Sequence, residues 1–433
     1  MKTSIATVSV SGNLRQKLEA ISAAGFDGVE IFEQDFIADD GSPRDVGRMI
    51  RDHGLDITLF QPFRDFEGLP GKLRMKAFDR AKRKFDLMQD LGVDLVLFCS
   101  SVHPQCLGGI DRIADDFAEL GELAATHDIR VGYEALAWGK HVNDHRDAWE
   151  VVRRADHPNI GLILDSFHTL GRNIDPDTIR RIPGDRIFFA QFADAPRIDM
   201  DLLYWSRHFR NMPGEGDLDV AGFTRALMAT GYSGPISLEI FNDQFRGGSP
   251  KGVARDGYRS LINLMDDVRR AEQTSAKNLP TLPAKTDVPG ISFVEFAAQG
   301  DDARALEKLI STLGFRQVGQ HISKALSLWQ QGKIRILINE EEDDLAATMY
   351  AARGTSIYDI GLEVSSAEDT VKRASALGAA LFSQPLSPGQ IEIPAIRGLS
   401  GSVLHFLDAS QSLSDVWATE FVATGTDALG AGL

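Results

Sequence analysis

Four polar residues close four successive apolar runs of this chain. Glu134 ends RVGYE, Asp165 ends IGLILD, Gln191 follows RIFFA and Glu239 follows ISL. Each stands where a stretch of β-branched and apolar residues stops, a place where an unpaired carboxylate is costly to bury. Three carboxylates and one amide gathered at a single rim repel one another unless a cation sits among them. All four offer oxygen, so the expected cofactor is one divalent metal ion (Mg, Mn or Co) rather than a thiolate-loving one. His168 lies three residues beyond Asp165, which keeps its imidazole near the same rim and marks it as a proton shuttle.

The elements that must carry these residues recur with one rhythm. Short strand-like runs begin at Ser4 (SIATVSV), Gly28 (GVEIFE), Asp56 (DITLFQ), Asp94 (DLVLFCS), Arg130 (RVGYEA), Ile160, Arg186 (RIFFAQF) and Ile236 (ISLEIF). Between them lie amphipathic stretches predicted as helices, among them Leu14–Ala24, Lys72–Leu91, Asp111–His127, Val220–Thr230 and Lys251–Arg270. Eight alternations in the first 272 residues match the size of an α/β protein of the (β/α)8 TIM barrel class, whose chemistry sits at the C-terminal strand ends. Phe98 and Cys99 read as barrel packing, and Trp138 and Trp205 as residues that line or close the pocket. His141 and His145 follow the fifth strand and read as surface groups or as support for the site.

Residues 273–290 contain Pro280, Pro283 and Pro289 among Ser, Lys, Asn and Thr, and are expected to be a linker. From 291 to 408 the order changes to strand, helix and three strands, used twice, with Gly314 and Gly378 in the matching phrases LGF and LGA. This predicts a smaller α+β domain of two βαβββ units, followed by a tail, 409–433, without strong pattern. The acidic run Glu340–Asp344 reads as a solvated turn, because five adjacent carboxylates cannot converge on one ion.

Composition narrows the class. The 433 residues carry 46 Lys and Arg against 62 Asp and Glu, a formal charge of −16 that repels phosphate backbones and argues against nucleic acid as partner. Two cysteines, Cys99 and Cys106, allow no disulfide framework. No long apolar run or signal peptide is evident, so a cytoplasmic protein with no membrane partner is expected.

The phrases GYEALAW around Glu134, LDSFHTLGR around Asp165 and His168, FAQFADAP around Gln191, WSRHFRNMPGEG from Trp205 and SLEIFND around Glu239 carry a family resemblance. The first 270 residues or so resemble the xylose-isomerase-like barrels of sugar isomerases, sugar epimerases and endonuclease IV, and more closely bacterial 3-dehydroshikimate dehydratase. The epimerase pattern is Glu, Asp, His and Glu; here the third position is Gln191, which favours the dehydratase. FVEFAAQ, LGFRQVGQHISK and LWQQG resemble the vicinal-oxygen-chelate, hydroxyphenylpyruvate-dioxygenase-like region fused to that barrel. Metal-binding members carry His on the first strand of each repeat. The corresponding strands here, ISFVEFA and YDIGLEV, have none, so no metal and no dioxygenase activity are expected in this region.

The resemblance implies loss of water from 3-dehydroshikimate to give protocatechuate, a carbon-oxygen lyase reaction of quinate and shikimate catabolism, through a metal-stabilised enediolate. It implies Glu134, Asp165, Gln191 and Glu239 as metal ligands and His168 as general acid or base, with Glu134 and Glu239 as further proton acceptors. A carboxylate substrate calls for arginine: Arg64 after strand three and Arg210 in the long loop after strand seven are preferred, then Arg197, with Ser206 as a hydrogen-bonding partner. The rivals are a sugar isomerase or epimerase of the same barrel family and a non-catalytic binding protein; an endonuclease is disfavoured by charge and by too few strand-end histidines. The second domain is expected to support barrel stability or homo-oligomer formation.

Overall fold

A computed structural model describes residues 1–272, 281–386 and 388–425. Contacts divide the chain into Met1–Thr281 and Leu282–Leu433. The division falls within the expected linker, of which 273–280 lie outside the described residues, as do 426–433 of the expected tail.

Eight strands build the first unit: β1 (Thr3–Ala6), β2 (Gly28–Phe32), β3 (Asp56–Phe63), β4 (Leu95–Cys99), β5 (Arg130–Glu134), β6 (Ile160–Asp165), β7 (Ile187–Phe192) and β8 (Ile236–Leu238). They pair in chain order, all parallel, and β8 closes on β1. Helices lie between them as the hydrophobic periodicity predicts. The helix Leu14–Ala24 opens with a reciprocal capping box between Asn13 and Gln16 and stops at Gly25, whose positive φ of 97° ends it. The first strand is shorter than the run SIATVSV suggests. Thr7 Oγ1 and Ser9 Oγ accept the backbone N–H groups of Phe32 and Ile240, so the chain leaves the ladder and forms a 3-10 turn over Thr7–Ser9.

Strand alternation separates two cores. Leu59, Leu95, Leu97, Cys99, Ile163 and Phe189 form one buried apolar cluster. Phe98 belongs to the opposite face of β4, where it stacks on Phe63 at 4.2 Å and meets Phe66 and Phe117 edge-on. This division places Glu134, Asp165 and Gln191 in the same alternation as the interior residues Gly132, Ile163 and Phe189.

The second unit is one nine-stranded sheet. Its first repeat comprises β9 (Gly290–Ala297), β10 (Arg316–His321), β11 (Leu326–Gln331) and β12 (Ile334–Asn339); its second comprises β13 (Ser356–Glu363), β14 (Leu381–Phe382), β15 (Ala395–Arg397) and β16 (Val403–Leu407). In each repeat the last strand returns parallel beside the first, and β9 and β13 join the repeats antiparallel. Two features differ from the expected pattern. A helix, Leu345–Arg353, links the repeats with Asp344 as its N-cap. The tail supplies β17 (Phe421–Ala423), which pairs with β10.

Gly132 makes the barrel interior possible at β5. A Cβ there would lie 2.4 Å from Ile163 Cδ1 and Cγ1. Gly132→Val is therefore expected to destabilise the barrel by roughly 1–3 kcal/mol, and Ile163→Ala in the same chain to recover part of that loss, read as urea midpoints of the first unit.

Candidate active site

The short sequence Asp-Ser-Phe-His converts a strand end into a fixed imidazole. Asp165 closes β6 and caps the helix Ser166–Leu170, its Oδ1 accepting the His168 N–H at 3.1 Å. His168 Nδ1 accepts the Ala137 N–H at 3.2 Å, which assigns the remaining imidazole hydrogen to Nε2 in the neutral ring. Trp138 packs against that ring edge-on at 5.1 Å. Burial, opposed by Asp165 and reinforced by Arg210 and Arg207, depresses His168 to about 3, so the ring is neutral at physiological pH.

Arg210 ties the other side of the site together. Its Nη1 donates to Asp165 Oδ2 at 2.7 Å and to Glu239 Oε2 at 2.9 Å, while Nη2 and Nε donate to Ser206 Oγ at 2.9 and 3.2 Å. The side chain is only 1% exposed. Its loop is held independently. Arg210 N donates to Phe241 O, Asn242 Nδ2 donates to Arg210 O, and Asp194 gathers the backbone N–H groups of Gly214, Gly216 and Leu218. The phrase FADAP thus anchors the glycine-containing loop that follows Arg210.

The carboxylates exceed their counter-charges. Burial, then the charges of Asp165 and Glu239, push Glu134 well above the ordinary carboxylate range. Burial also raises Glu239, against the pull of Arg210, whereas at Asp165 Arg210 and His168 outweigh burial and hold the carboxyl low. Glu134 Oε1 and Gln191 Oε1 are buried without a hydrogen-bond partner. Glu134, Asp165 and His168 each bring a ligand atom within 4.8 Å of the others. An oxygen-rich set with an imidazole, negative charge in excess and orphaned acceptors fits a hard or borderline divalent cation.

Comparison with known proteins gives the family of both units. Residues 18–264 match the xylose isomerase-like TIM barrel family and residues 283–422 the N-terminal region of hydroxyphenylpyruvate dioxygenase. A 3-dehydroshikimate dehydratase of Pseudomonas putida is 48% identical over 426 residues, covering 97% of this chain and 67% of its own length. The enzyme of that name from Pseudomonas aeruginosa is 47% identical over 438 residues, 100% of this chain and 69% of its own. A solved structure described as a xylose isomerase-like TIM barrel/4-hydroxyphenylpyruvate dioxygenase fusion protein superposes with a TM-score of 0.95 at 47% identity, covering 100% of this chain and 70% of that one. The chain belongs to this family of xylose isomerase-like barrel fusions.

Within the family member's barrel, a cavity of about 210 Å³ opens beside the carboxylates. Arg64, Glu134, His168, Ser206, Arg210 and Glu239 all line it. Arg197 does not: its Nη1 donates to Asn173 Oδ1 at 2.7 Å, and it borders a different surface cleft with Asp199 and Trp205. Gln191 lies deeper, its Nε2 donating to Glu30 Oε2 at 2.7 Å. Cys99 faces this cavity and donates its thiol to Glu134 Oε2 over 3.6 Å, a contact beyond simple packing. His145 is buried against Thr178 and depressed to about 4 by burial, and His141 bonds the Cys106 carbonyl. Glu341 accepts the Ala325 N–H and Asp344 caps the next helix, so these members of the acidic run have local structural tasks.

Sequence reasoning missed Arg207, which lines the cavity with its guanidinium 4.5 Å from the Phe241 ring. The available signal was helical: Arg207 and Arg210 are three apart in WSRHFR. It also missed two interior acids, Glu30 and Glu67. Glu67 Oε1 accepts the Ser101 N–H at 2.6 Å and the Tyr133 hydroxyl at 3.1 Å, joining the loops after β3 and β4 to β5.

Burial raises Glu67 from 4.5 to about 7, against the pull of its hydrogen bonds. The folded chain holds this proton more tightly than the unfolded chain, so the stabilisation is complete below pH 4.5 and is lost as pH rises through about 7. Glu67→Gln is expected to gain stability relative to the parent between about pH 5 and pH 8.5, on the order of 2 kcal/mol, measured by denaturant titration at each pH.

Proposed function

We propose that this chain dehydrates 3-dehydroshikimate to protocatechuate. The carrying observation is the polarity of one cavity: two guanidiniums, Arg64 and Arg207, face a space bordered by Glu134 and Glu239. Burial, then the Arg64 charge, push Arg207 below the usual arginine range against the pull of Glu239, as expected of two cations brought together. A ring bearing a carboxylate at one end and a ketone with neighbouring hydroxyl at the other matches both walls. The names of the Pseudomonas relatives support the same substrate.

Glu134, Asp165, Gln191 and Glu239 would hold a divalent cation, Mg²⁺, Mn²⁺ or Co²⁺, whose Lewis acidity polarises the ring ketone and loosens the adjacent C–H. Arg64 and Arg207 bind the substrate carboxylate, and Ser206 hydrogen-bonds in the same loop. Arg210, tied to Asp165 and Glu239, balances charge within the site rather than gripping the carboxylate. Glu134, with its proton affinity raised by burial, takes the proton from the carbon beside the ketone. Glu134 returns that proton to the departing β-hydroxyl, which leaves as water, while His168, neutral and with Nδ1 occupied by the Ala137 N–H, hydrogen-bonds the departing oxygen through Nε2–H without losing its own proton. Glu239 accepts the second ring proton and passes it to the former ketone oxygen as the product aromatises, so that one water is lost overall and each residue returns to its starting state. Trp138 and Phe241 border the cavity and restrict access of bulk water to it. The second unit supports barrel stability or self-association, with no redox chemistry of its own.

A sugar isomerase or epimerase would use the same oxygen donors, but an uncharged sugar leaves Arg64 and Arg207 without a partner. Chelation is expected to abolish turnover and Mg²⁺, Mn²⁺ or Co²⁺ to restore it. Glu239→Ala should weaken metal binding by more than the roughly 10–100-fold that outer partners cost, followed by calorimetry and by protocatechuate absorbance. Full turnover by the metal-free protein would exclude this site. Arg207→Ala should raise KM for 3-dehydroshikimate by roughly 10–100-fold while changing kcat far less, the loss of one charge-assisted hydrogen bond. Efficient ketose epimerisation without protocatechuate would replace the dehydratase reading.

A further inference from the structure

One acid in the barrel serves neither the proposed ligand set nor the substrate cavity. Glu30 points inward from β2 and has no solvent exposure. Its Oε2 accepts two hydrogen bonds, from Gln61 Nε2 and from Gln191 Nε2, each at 2.7 Å. Its Oε1 has no partner. Both amides therefore spend an N–H on the same carboxylate oxygen.

That arrangement has directional content. An amide can present either of its ends, and only the N–H end can bond a carboxylate. With Nε2 turned to Glu30, the Gln191 carbonyl must face elsewhere, and Oε1 is buried without a protein partner. In the β6–β7 register Gln191 stands directly beside Asp165. A glutamate at this strand end would offer oxygen in either orientation; a glutamine offers it in only one, and the other presents N–H groups that repel a cation.

We infer that Glu30 is a positioning residue that fixes the amide of Gln191 with its oxygen available to the cation. The inference rests on reading Glu134, Asp165, Gln191 and Glu239 as a cation site. It also accounts for an amide among carboxylates: Glu30 Oε2 takes a donor from position 191, and a second acid there would set two buried carboxyl groups against each other. Gln61, donating to the same oxygen, holds the Glu30 carboxylate from the other side.

The test is an exchange of the two groups, with Mn²⁺ as probe, binding measured by calorimetry and paramagnetic resonance on the full chain and folding by thermal unfolding. Q191E alone is expected to bind Mn²⁺ roughly tenfold or more weakly than the parent, although it adds a negative ligand. E30Q/Q191E, in which the amide at position 30 donates to the carboxylate at position 191, should return to within about threefold of the parent. E30L should weaken binding as Q191E does, and adding Q191A to E30L should cost little more, because both act through one amide. Both changes in the exchange pair are isosteric, so the pair carries the test even where E30L unfolds. Mn²⁺ binding by Q191E equal to or tighter than the parent, or no recovery in the exchanged pair, overturns the role of Glu30. No Mn²⁺ binding by the parent chain overturns instead the cation site on which it rests.

Discussion

Like charges confined in hydrocarbon are the constraint around which this barrel is arranged. Glu30, Glu134, Asp165 and Glu239 are all buried within a closed sheet whose apolar interior cluster is built chiefly of leucine, isoleucine and phenylalanine. Water cannot solvate them, so each must find a donor, a counter-ion or a proton. The chain supplies Gln61 and Gln191 to Glu30, and Arg210 to Asp165 and Glu239. What these partners leave unmet, chiefly at Glu134, is the demand that the proposed divalent cation would answer. Folding and chemistry thus draw on the same imbalance.

Holding Arg210 in place takes structure from three parts of the sequence. Asp194 fastens the loop beyond it, Phe241 and Asn242 bond its backbone, and Ser206 receives its guanidinium. None of these groups is a ligand. Their cost in order is accepted because a mispositioned guanidinium would leave two buried carboxylates unpaired, a far larger penalty than a loose surface loop.

The barrel and its polar strand ends were readable because both are local signals: an apolar run marks a strand, and the polar residue that stops it marks the rim. Asp165 and His168 were readable together because their spacing is that of a capped helix start. Arg207 was not, since which face of the short helix Leu202–His208 meets the cavity depends on packing that spacing alone does not set. Glu30 was hidden for a related reason. It occurs within GVEIFE, where a lone acid in a strand ordinarily points to solvent, and only barrel closure turns that side inward. In the second unit, β17 carries no strong pattern of its own; it is a strand because β10, a hundred residues earlier, offers an unpaired edge. The short helix Leu345–Arg353 is legible only in its cap, Asp344, which sits in an acidic run that looks like simple solvated charge.

That borrowed strand also determines how the second unit can meet other molecules. With β17 laid along β10, the nine-stranded sheet terminates on one side in a strand of three residues and on the other in β14, of two residues. Edges so short offer almost no backbone ladder for a neighbouring chain to extend, which protects a broad sheet against end-to-end polymerisation. Recruitment of a neighbour must then proceed through side chains on faces and helices, where complementarity can be selective, rather than through main-chain pairing, which accepts almost any extended peptide.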